Sequence, residues 1–293
     1  MINHKHNIIN NNDQVFQKAS SLSKFLSELL QSKPFFKNIL NKNLRSKIKK
    51  AHLNSFITNR SINNLEELNK ALREMREKFF ALSLLRDVNN LCDLSEVFDT
   101  HTNLADIALQ IAYKYHNKEL IKRYGKPQNF NGVTKHLIIV GMGKLGGKEL
   151  NPSSDIDLIF LYEEDGVTTK NKSNAEFFTE LSKRIISSLN DYTEDGIVFR
   201  VDTRLRPFGS HGLIAIPLDA LENYLSLNGL DWERYAWLKA RVIIGPEMEL
   251  NTIINPFIYR KYLDFNIFSS LRSIKEKINN EMIKKINEGD IKL

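Results

Sequence analysis

Two apolar runs joined by a short glycine-rich connection limit the fold of this 293-residue chain most strongly. HLIIV leads into GMGKLGGKELNPSS, and DIDLIFLY begins at Asp155. Short apolar runs bounded by glycine or proline predict buried strands. The connection has room for a helix only from about Lys144 to Leu150, because Pro152 follows, whereas a parallel crossover usually needs about a dozen residues or more.

Helical periodicity dominates the first 120 residues. Apolar residues recur every three or four positions in QVFQKASSLSKFLSELL and in NNLEELNKALREMREKFFALSLL, and a third helix is predicted from about Leu94 to Tyr115. Pro34 is expected to end the first pattern, and Asn64 with Glu67 resembles a capping box. Aliphatic stripes of this kind predict packing surfaces.

Short β-type runs and then helices fill the remaining chain. GIVFRVDT and GLIAI predict two further strands, and NAEFFTELSKRIISSLN predicts a helix before them. After about residue 217 the helical pattern returns through LDALENYLSLNGLDWERYAWLKARVII and SLRSIKEKINNEMIKKI, and we expect Trp232 and Tyr235 to pack within it. The pattern predicts a predominantly helical α+β protein with one small mixed sheet, confined to about residues 130–217.

The net charge of +7 is concentrated near the N-terminus. Residues 1–60 contain eleven Lys and Arg but only Asp13 and Glu28, a net of +9, so the other 233 residues sum to −2. A basic arm can bind nucleic acid or an acidic partner. Basic and aromatic residues do not interleave here as a stacking platform requires, so we favour a solvated helical surface and expect no nucleic-acid partner.

Composition also bears on the compartment. Cys92 is the single cysteine, which fits a reducing cytoplasm, and the N-terminus lacks the apolar core of a secretory signal. No apolar run approaches membrane-spanning length, so we expect a cytoplasmic protein without a membrane partner.

The candidate site begins with a pair of acids. Asp155 and Asp157 are two residues apart, so on a strand their side chains point to the same face, roughly 6–7 Å apart. Two aligned carboxylates repel each other at neutral pH, and a divalent cation between them is the simplest remedy. Carboxylates are hard oxygen ligands, which favours Mg²⁺ over Zn²⁺.

The residues before this pair suit a phosphate group. A glycine turn that opens a helix exposes backbone N–H groups toward an anion. Lys144 adds a mobile positive charge, and serine hydroxyls can donate hydrogen bonds beside the acids. The candidate phosphate- or nucleotide-binding residues in this segment are Gly143, Lys144, Gly146, Ser153 and Ser154.

A dinucleotide-binding fingerprint is the main alternative for the same segment. Gly141, Gly143 and Gly146 spell G-x-G-x-x-G after a predicted strand, and Glu163 follows about twenty residues later. The short connection argues against this interpretation, and the fingerprint does not explain two aspartates at the start of the second strand. We therefore favour the metal and phosphate interpretation.

A third acid extends the candidate site. Asp202 lies near the end of its own predicted strand and is followed by Arg204 and Arg206. Two acids on one strand and one on a neighbour can bind two metal ions about 3.5–4 Å apart, as in phosphoryl and nucleotidyl transfer. The planar guanidinium groups suit phosphate oxygens.

Three segments together carry a family resemblance. GMGKLGGKELNPSSDIDLIFLYEEDG, GIVFRVDTRLRPFGSHG and DWERYAWLKARVI closely resemble the glutamine synthetase adenylyltransferase family, over roughly residues 70–293. That family adds AMP to glutamine synthetase and removes it, and belongs to the nucleotidyltransferase superfamily typified by DNA polymerase β. The changes of pattern along the chain predict an N-terminal helical region at 1–125, a core at 126–217 and a C-terminal helical segment at 218–293. The resemblance implies that the core is a nucleotidyltransferase unit.

The resemblance also implies a reaction. DWERYAWLKARVI is similar to the unit assigned adenylyl removal, and the chain lacks a second Asp-x-Asp with a glycine turn, so we expect the adenylylating half to be absent. The implied chemistry is phosphorolysis of AMP–tyrosine to ADP, with Asp155, Asp157 and Asp202 holding two Mg²⁺ ions, for which Mn²⁺ can substitute. ATP, ADP, phosphate, adenylylated glutamine synthetase and the PII signalling protein are the implied ligands and partners.

Two alternatives stay open at this point. One is adenylylation with ATP, and the other is an inactive fragment that only binds glutamine synthetase or PII. INEGDIKL, the last segment, resembles the start of a family motif, so we expect a truncated chain. A nucleotidyltransferase acting on RNA is disfavoured by the near-neutral charge of the catalytic region.

Overall fold

Helices make up most of the protein. The computed structural model describes residues 2–259 together with residues 272–273, 275–276, 279–280 and 283–284. The helices assigned there are α1 (Ile2–Leu22), α2 (Lys24–Ser32), α3 (Phe36–Asn43), α4 (Lys50–Thr58), α5 (Leu65–Val88), α6 (Leu94–Tyr124), α7 (Gly143–Gly146), α8 (Asn174–Asn190), α9 (Leu218–Leu227), α10 (Asp231–Trp237) and α11 (Glu247–Ile258). The strands are β1 (Pro127–Gln128), β2 (Leu137–Gly141), β3 (Ile156–Tyr162), β4 (Val167–Thr168), β5 (Val201–Asp202), β6 (Ala215–Pro217) and β7 (Arg241–Ile244). Among the described residues, no helix is both long and apolar enough to cross a membrane.

A five-stranded mixed sheet forms the centre of the fold. β2 and β3 are antiparallel neighbours, with Leu137 opposite Tyr162 and Gly141 opposite Leu158. β7 pairs antiparallel with the other side of β2. β5 and β6 both pair parallel with the free side of β3, β5 beside its start and β6 beside its end. The predicted α+β class with a small mixed sheet is confirmed.

Helices cover both faces of this sheet, which explains why its central strands are apolar throughout. Leu137 and Ile139 of β2 belong to the core cluster that includes α5, α6 and α8. Ile138 and Val140, which point the other way, belong to a second cluster with α9, α10 and α11. Burying each such side chain contributes about 1.5–3 kcal/mol, so both faces anchor the strand that leads into the glycine turn.

Helix α5 begins at the predicted cap, Asn64. The Asn64 side chain accepts a hydrogen bond from the Glu67 amide at 2.8 Å, but the Glu67 carboxylate accepts from Asn63 N–H at 2.7 Å, so only half of the expected capping box forms. α6 runs past the predicted end at Tyr115 to Tyr124. The first predicted helix is divided at Ser23, whose hydroxyl caps α2 by accepting from the Leu26 amide.

Three secondary-structure predictions were wrong in detail. Residues 241–244 follow a helical pattern yet form β7, because the exposed edge of β2 offers backbone partners that override local preference. A second, two-stranded sheet pairs β1 with β4, so the strands are not confined to one sheet. GIVFRVDT contributes only the two residues of β5. The helix predicted over 270–286 lies for the most part outside the described residues.

Packing of the two aromatic residues in α10 was also predicted wrongly. Trp232 and Tyr235 are 41% and 51% exposed, whereas Trp237 is only 4% exposed and joins the second core cluster. The buried face of this short helix also carries Glu233 and Arg234, which are held by the Tyr224 hydroxyl and the Phe257 carbonyl. Polar residues with fixed partners therefore occupy the inward face.

The topology excludes the dinucleotide-binding alternative. That unit requires parallel strands joined by a crossover helix, whereas β2 and β3 are antiparallel and joined through the single turn of α7. Glu163 consequently lies at the end of β3 remote from the glycine turn, where it accepts hydrogen bonds from the backbone and ring nitrogens of His136 at 2.6 and 2.8 Å.

Candidate active site

The three predicted acids lie at the start of β3 and on its parallel neighbour β5. The strand register pairs Asp157 with Asp202, and Asp155 immediately precedes β3. Burial, together with the charges of Asp202 and Asp155, raises the pKa of Asp157 to about 6. The structure therefore brings these carboxylates close enough for each to disfavour ionisation of Asp157.

Arginines neutralise two of the three acids. Arg200 forms an ion pair with Asp155 through Nε, and its Nη2 donates to the Ser153 carbonyl at 2.8 Å. Arg204 donates from Nε to both oxygens of Asp202, at 3.0 and 2.9 Å, and its backbone N–H donates to Oδ1 at 2.8 Å. These hydrogen bonds lower the pKa of Asp202.

The acids have the donor chemistry of a Mg²⁺ or Mn²⁺ site. Their oxygens are hard ligands, and the pKa of Asp157 is raised by burial and by the negative charges of Asp202 and Asp155, which a cation would offset. No group of three or more His, Cys, Asp or Glu side chains within the described residues is already arranged to hold a metal ion. In this structure Asp155 and Asp202 are paired with arginines instead.

The glycine turn lies directly against Asp157. Met142 N–H donates to the Asp157 carbonyl at 2.9 Å, which extends the β2–β3 ladder to the start of the turn. Gly143 has φ +53°, and a Cβ there would lie 2.8 Å from Asp157 Oδ2. Glycine is needed at this position both for the backbone conformation and for the approach of the carboxylate.

Gly146 has a packing role. It is buried, and a Cβ there would lie 2.0 Å from the Lys239 carbonyl oxygen and 2.5 Å from that of Gly141. Gly146 thus permits a close approach between α7 and the chain entering β7, and its contact with phosphate stays a prediction.

Two serines and a lysine border the acids. Lys144 and Ser153 are exposed, and Ser154 is half-buried. Within the described part of the chain, neither the Lys144 ammonium nor either serine hydroxyl has a hydrogen-bond or ion-pair partner. These groups are available to a ligand at this edge of the sheet.

Arg206, which was predicted to bind phosphate, contacts its own loop in this structure. Its guanidinium group donates to three backbone carbonyls of its own loop, those of Thr203, Ser210 and Gly212, at 2.9–3.1 Å, and to the Thr203 hydroxyl at 2.8 Å. The side chain therefore holds the loop between β5 and β6 together.

Sequence reasoning missed Arg200 and a buried ion pair. Arg200, Asp202 and Arg204 are spaced two residues apart, which on a strand places their side chains on one face. This spacing could have indicated that Arg200 lies near the acids. Arg241 of β7 forms two hydrogen bonds with Asp106 of α6, at 2.9 and 3.0 Å, and donates to the Leu145 carbonyl at 3.1 Å. No local signal predicts that pair, because 135 residues separate its members.

Comparison with known proteins places this arrangement in a family. The sequence profile of glutamate-ammonia ligase adenylyltransferase matches residues 14–254, which include every candidate site residue. The chain belongs to the glutamate-ammonia ligase adenylyltransferase family. The family assignment agrees with the resemblance carried by the glycine turn and the acid pair.

Relatives in this family are similar over nearly the whole chain. The bifunctional glutamine synthetase adenylyltransferase/adenylyl-removing enzyme of Aromatoleum aromaticum is 42% identical over 96% of the chain and 30% of its own length. The enzymes of the same name from Chromobacterium violaceum and Alteromonas mediterranea are 40% and 45% identical, over 97% and 81% of the chain and 32% and 24% of their own lengths. The chain thus spans about a third or less of these curated relatives.

Proposed function

We propose that the chain catalyses metal-dependent nucleotidyl transfer on glutamine synthetase, as the adenylyl-removing unit. One observation carries the proposal: the parallel register of β3 and β5 sets Asp157 beside Asp202, directly against the Gly143 turn. This juxtaposition combines anionic metal ligands with a turn open to a phosphate group, which is what transfer between phosphates requires.

Asp155, Asp157 and Asp202 would hold the metal ions. A bound pair of Mg²⁺ or Mn²⁺ ions would neutralise charge on the phosphates and on the leaving oxygen. The Gly143 turn, with the adjacent Lys144 ammonium and the Ser153 and Ser154 hydroxyls, would orient phosphate oxygens. Arg204 would add a guanidinium group, and Arg206 would act by fixing the loop that carries it.

The proposed reaction is phosphorolysis of AMP–tyrosine. An oxygen of inorganic phosphate attacks the phosphorus of the adenylyl group, and the new P–O bond produces ADP. The bond from that phosphorus to the tyrosine oxygen breaks, and the phenolate takes a proton from solvent. Phosphate is already anionic and phenol has a pKa of about 10, so the reaction needs no strong general base.

The direction of the reaction is supported by the flanking sequence. DWERYAWLKARVI, which forms α10 and β7, resembles the unit assigned adenylyl removal. We accordingly propose adenylylated glutamine synthetase and phosphate as substrates and ADP as the product. ATP would be the substrate of the alternative adenylylation, in which the tyrosine oxygen attacks the α-phosphorus and pyrophosphate leaves. We also propose the cytoplasm as the compartment and the PII signalling protein as a regulatory partner.

The test is an assay of the purified full chain with Mg²⁺ and adenylylated glutamine synthetase. We expect ADP to form only when phosphate is present, and Asp157→Asn to reduce the rate at least about a hundredfold, because it removes a metal ligand. In a parallel assay, ATP and unmodified glutamine synthetase should give no AMP attachment.

Two results would change the assignment. AMP attachment without ADP release would show the adenylylating activity instead. Binding of glutamine synthetase with neither reaction would favour the non-catalytic alternative, in which this part of the family serves recognition alone.

A further inference from the structure

Two exposed arginines contact the same carboxylates that we propose bind metal. The Arg200 and Arg204 side chains are 62% and 78% exposed, and each is paired with an acid, Asp155 and Asp202 respectively. Arg204 donates to both oxygens of Asp202 and Arg200 to one oxygen of Asp155, so a divalent cation at these acids competes with the guanidinium groups for carboxylate lone pairs. Metal binding at these acids therefore opposes both ion pairs.

The backbone around these arginines is held independently of the ion pairs. Arg206 fixes the loop after β5 through the carbonyls of Thr203, Ser210 and Gly212. The Val201 N–H donates to the Asn190 side chain at 3.0 Å, which ties β5 to the end of α8. The two guanidinium groups can thus leave the acids by side-chain rotation, without unfolding the loop.

Displacement would leave two guanidinium groups beside a cation-loaded site. Exposed ion pairs are weak, so their loss costs little, and a freed guanidinium group binds phosphate oxygens through two parallel hydrogen bonds. The nearby Lys144 is a point charge without this fork geometry. Arg200 and Arg204 are therefore the side chains best suited to receive a phosphate group after the cation has bound.

We propose that Arg200 and Arg204 exchange partners, releasing Asp155 and Asp202 to a divalent cation and then binding the phosphate group of the substrate. This inference rests on the proposed function, since it assumes that the acids bind metal. It adds Arg200 to the site and makes phosphate binding dependent on prior metal binding.

The first test measures metal affinity, without any turnover. Mn²⁺ is titrated into the EDTA-treated full chain and free Mn²⁺ is followed by electron paramagnetic resonance. Arg200→Gln and Arg204→Gln should each bind Mn²⁺ about two- to fivefold more tightly than wild type, the range that one exposed ion pair accounts for. Arg200→Lys keeps the charge and should stay near wild type.

Lys148→Gln is the matched control. Lys148 is exposed, follows the same glycine turn and has no ion-pair partner among the residues described. The substitution therefore removes one positive charge without freeing a carboxylate. A smaller change in Mn²⁺ affinity than that of the arginine variants separates direct competition from general electrostatics. Circular dichroism of each variant confirms that the fold is retained.

The second test measures phosphate binding by equilibrium dialysis with radiolabelled inorganic phosphate. With Mg²⁺ present, both arginine variants should bind phosphate about tenfold more weakly, and wild type should bind it more weakly when Mg²⁺ is replaced by EDTA. Tighter Mn²⁺ binding together with weaker phosphate binding supports the exchange of partners.

Other outcomes overturn this inference. Unchanged or weaker Mn²⁺ binding in the arginine variants contradicts the competition, and unchanged phosphate binding contradicts the second step, while wild-type ADP release would leave the proposed function intact. If wild type binds Mn²⁺ no better than Asp157→Asn, the metal site itself is wrong and both proposals fall.

Discussion

At the scale of single residues, the ionisation of Asp157 links the site to stability. Its pKa is about 6 in the folded chain, above the unfolded value, because of burial and the neighbouring acids. The folded state therefore holds this proton more tightly, and stability declines as pH rises from about 4 to 6. Above that range the charged Asp157 carboxylate lowers the free energy of unfolding. Because the side chain is partly exposed and solvent screens its charge, this cost is about 1 kcal/mol.

Asp157→Asn is accordingly expected to raise the melting temperature in EDTA at pH 7.5, by about 2–4 °C. At pH 4 the variant and wild type should melt together, since the wild-type carboxyl is then protonated in the folded state. Thermal unfolding at the two pH values measures this. Equal melting temperatures at pH 7.5 would show that the charged Asp157 carboxylate does not destabilise the fold.

Gly143 gives a second prediction at this scale. Gly143→Ala should destabilise the fold by about 1–2 kcal/mol, because alanine is disfavoured at positive φ, and should also weaken Mn²⁺ binding by displacing Asp157. Gly132→Ala is the matched control, since Gly132 has φ +79° but no atom of the described residues would lie within 4 Å of a Cβ there. It should show the conformational cost alone, as measured by urea unfolding and Mn²⁺ titration. Equal Mn²⁺ affinity in both variants would refute the contact with Asp157.

Among the elements, Asp106 and Arg241 join α6, α7 and β7. Asp106 is 6% exposed, and loss of one partner of such a pair leaves a buried charge. We expect Arg241→Gln to lower the free energy of unfolding by about 3 kcal/mol. The control is Glu149→Gln, which breaks the exposed pair with Lys239 and should cost less than about 1 kcal/mol. Urea denaturation at neutral pH compares the two variants, and similar costs would contradict the account.

Packing of α6 against α5 makes stability sensitive to acid. Burial, together with the nearby charge of Arg76, lowers the pKa of His101 to about 4. His101 packs edge-on against Phe80, and neither ring nitrogen has a hydrogen-bond partner among the residues that the structure describes. The unfolded histidine takes up a proton near pH 6.5, before the folded one does, so stability falls as pH decreases from about 6.5 toward 4.

His101→Leu should remove this contribution. From pH 7 to pH 5, the free energy of unfolding of wild type should fall by about 2 kcal/mol more than that of the variant. Urea unfolding at both pH values measures this difference. Parallel pH dependence of the two proteins would show that His101 is protonated inside the fold without cost.

For the molecule as a whole, the sequence predicted those helices and strands whose own residues show an apolar pattern or a capping residue. β2 and β3 are continuous apolar runs buried on both faces, and Asn64 caps α5 as its sequence indicates. β7 escaped prediction because its partner strand lies about a hundred residues earlier, and the exposure of Trp232 escaped because periodicity does not identify the outward face.

The candidate site was predictable in part for the same reason. Spacing alone indicated that Asp155 and Asp157 share a face, and the β3–β5 register now adds Asp202. The partners of Arg206 and of Arg241 depend on how a loop closes and how two distant elements meet, and no sequence spacing contains that information. The domain limits 1–125, 126–217 and 218–293 stay predictions.

The central claim is that phosphate attacks the adenylyl group at this cluster of acids. Adenylylated glutamine synthetase is incubated with the full chain, Mg²⁺ and ³²P-labelled inorganic phosphate, and the released nucleotide is separated. The account predicts labelled ADP with the label in its β-phosphate, and no labelled ADP with Asp157→Asn. Unlabelled AMP as the product would mean hydrolysis by water and would contradict phosphorolysis.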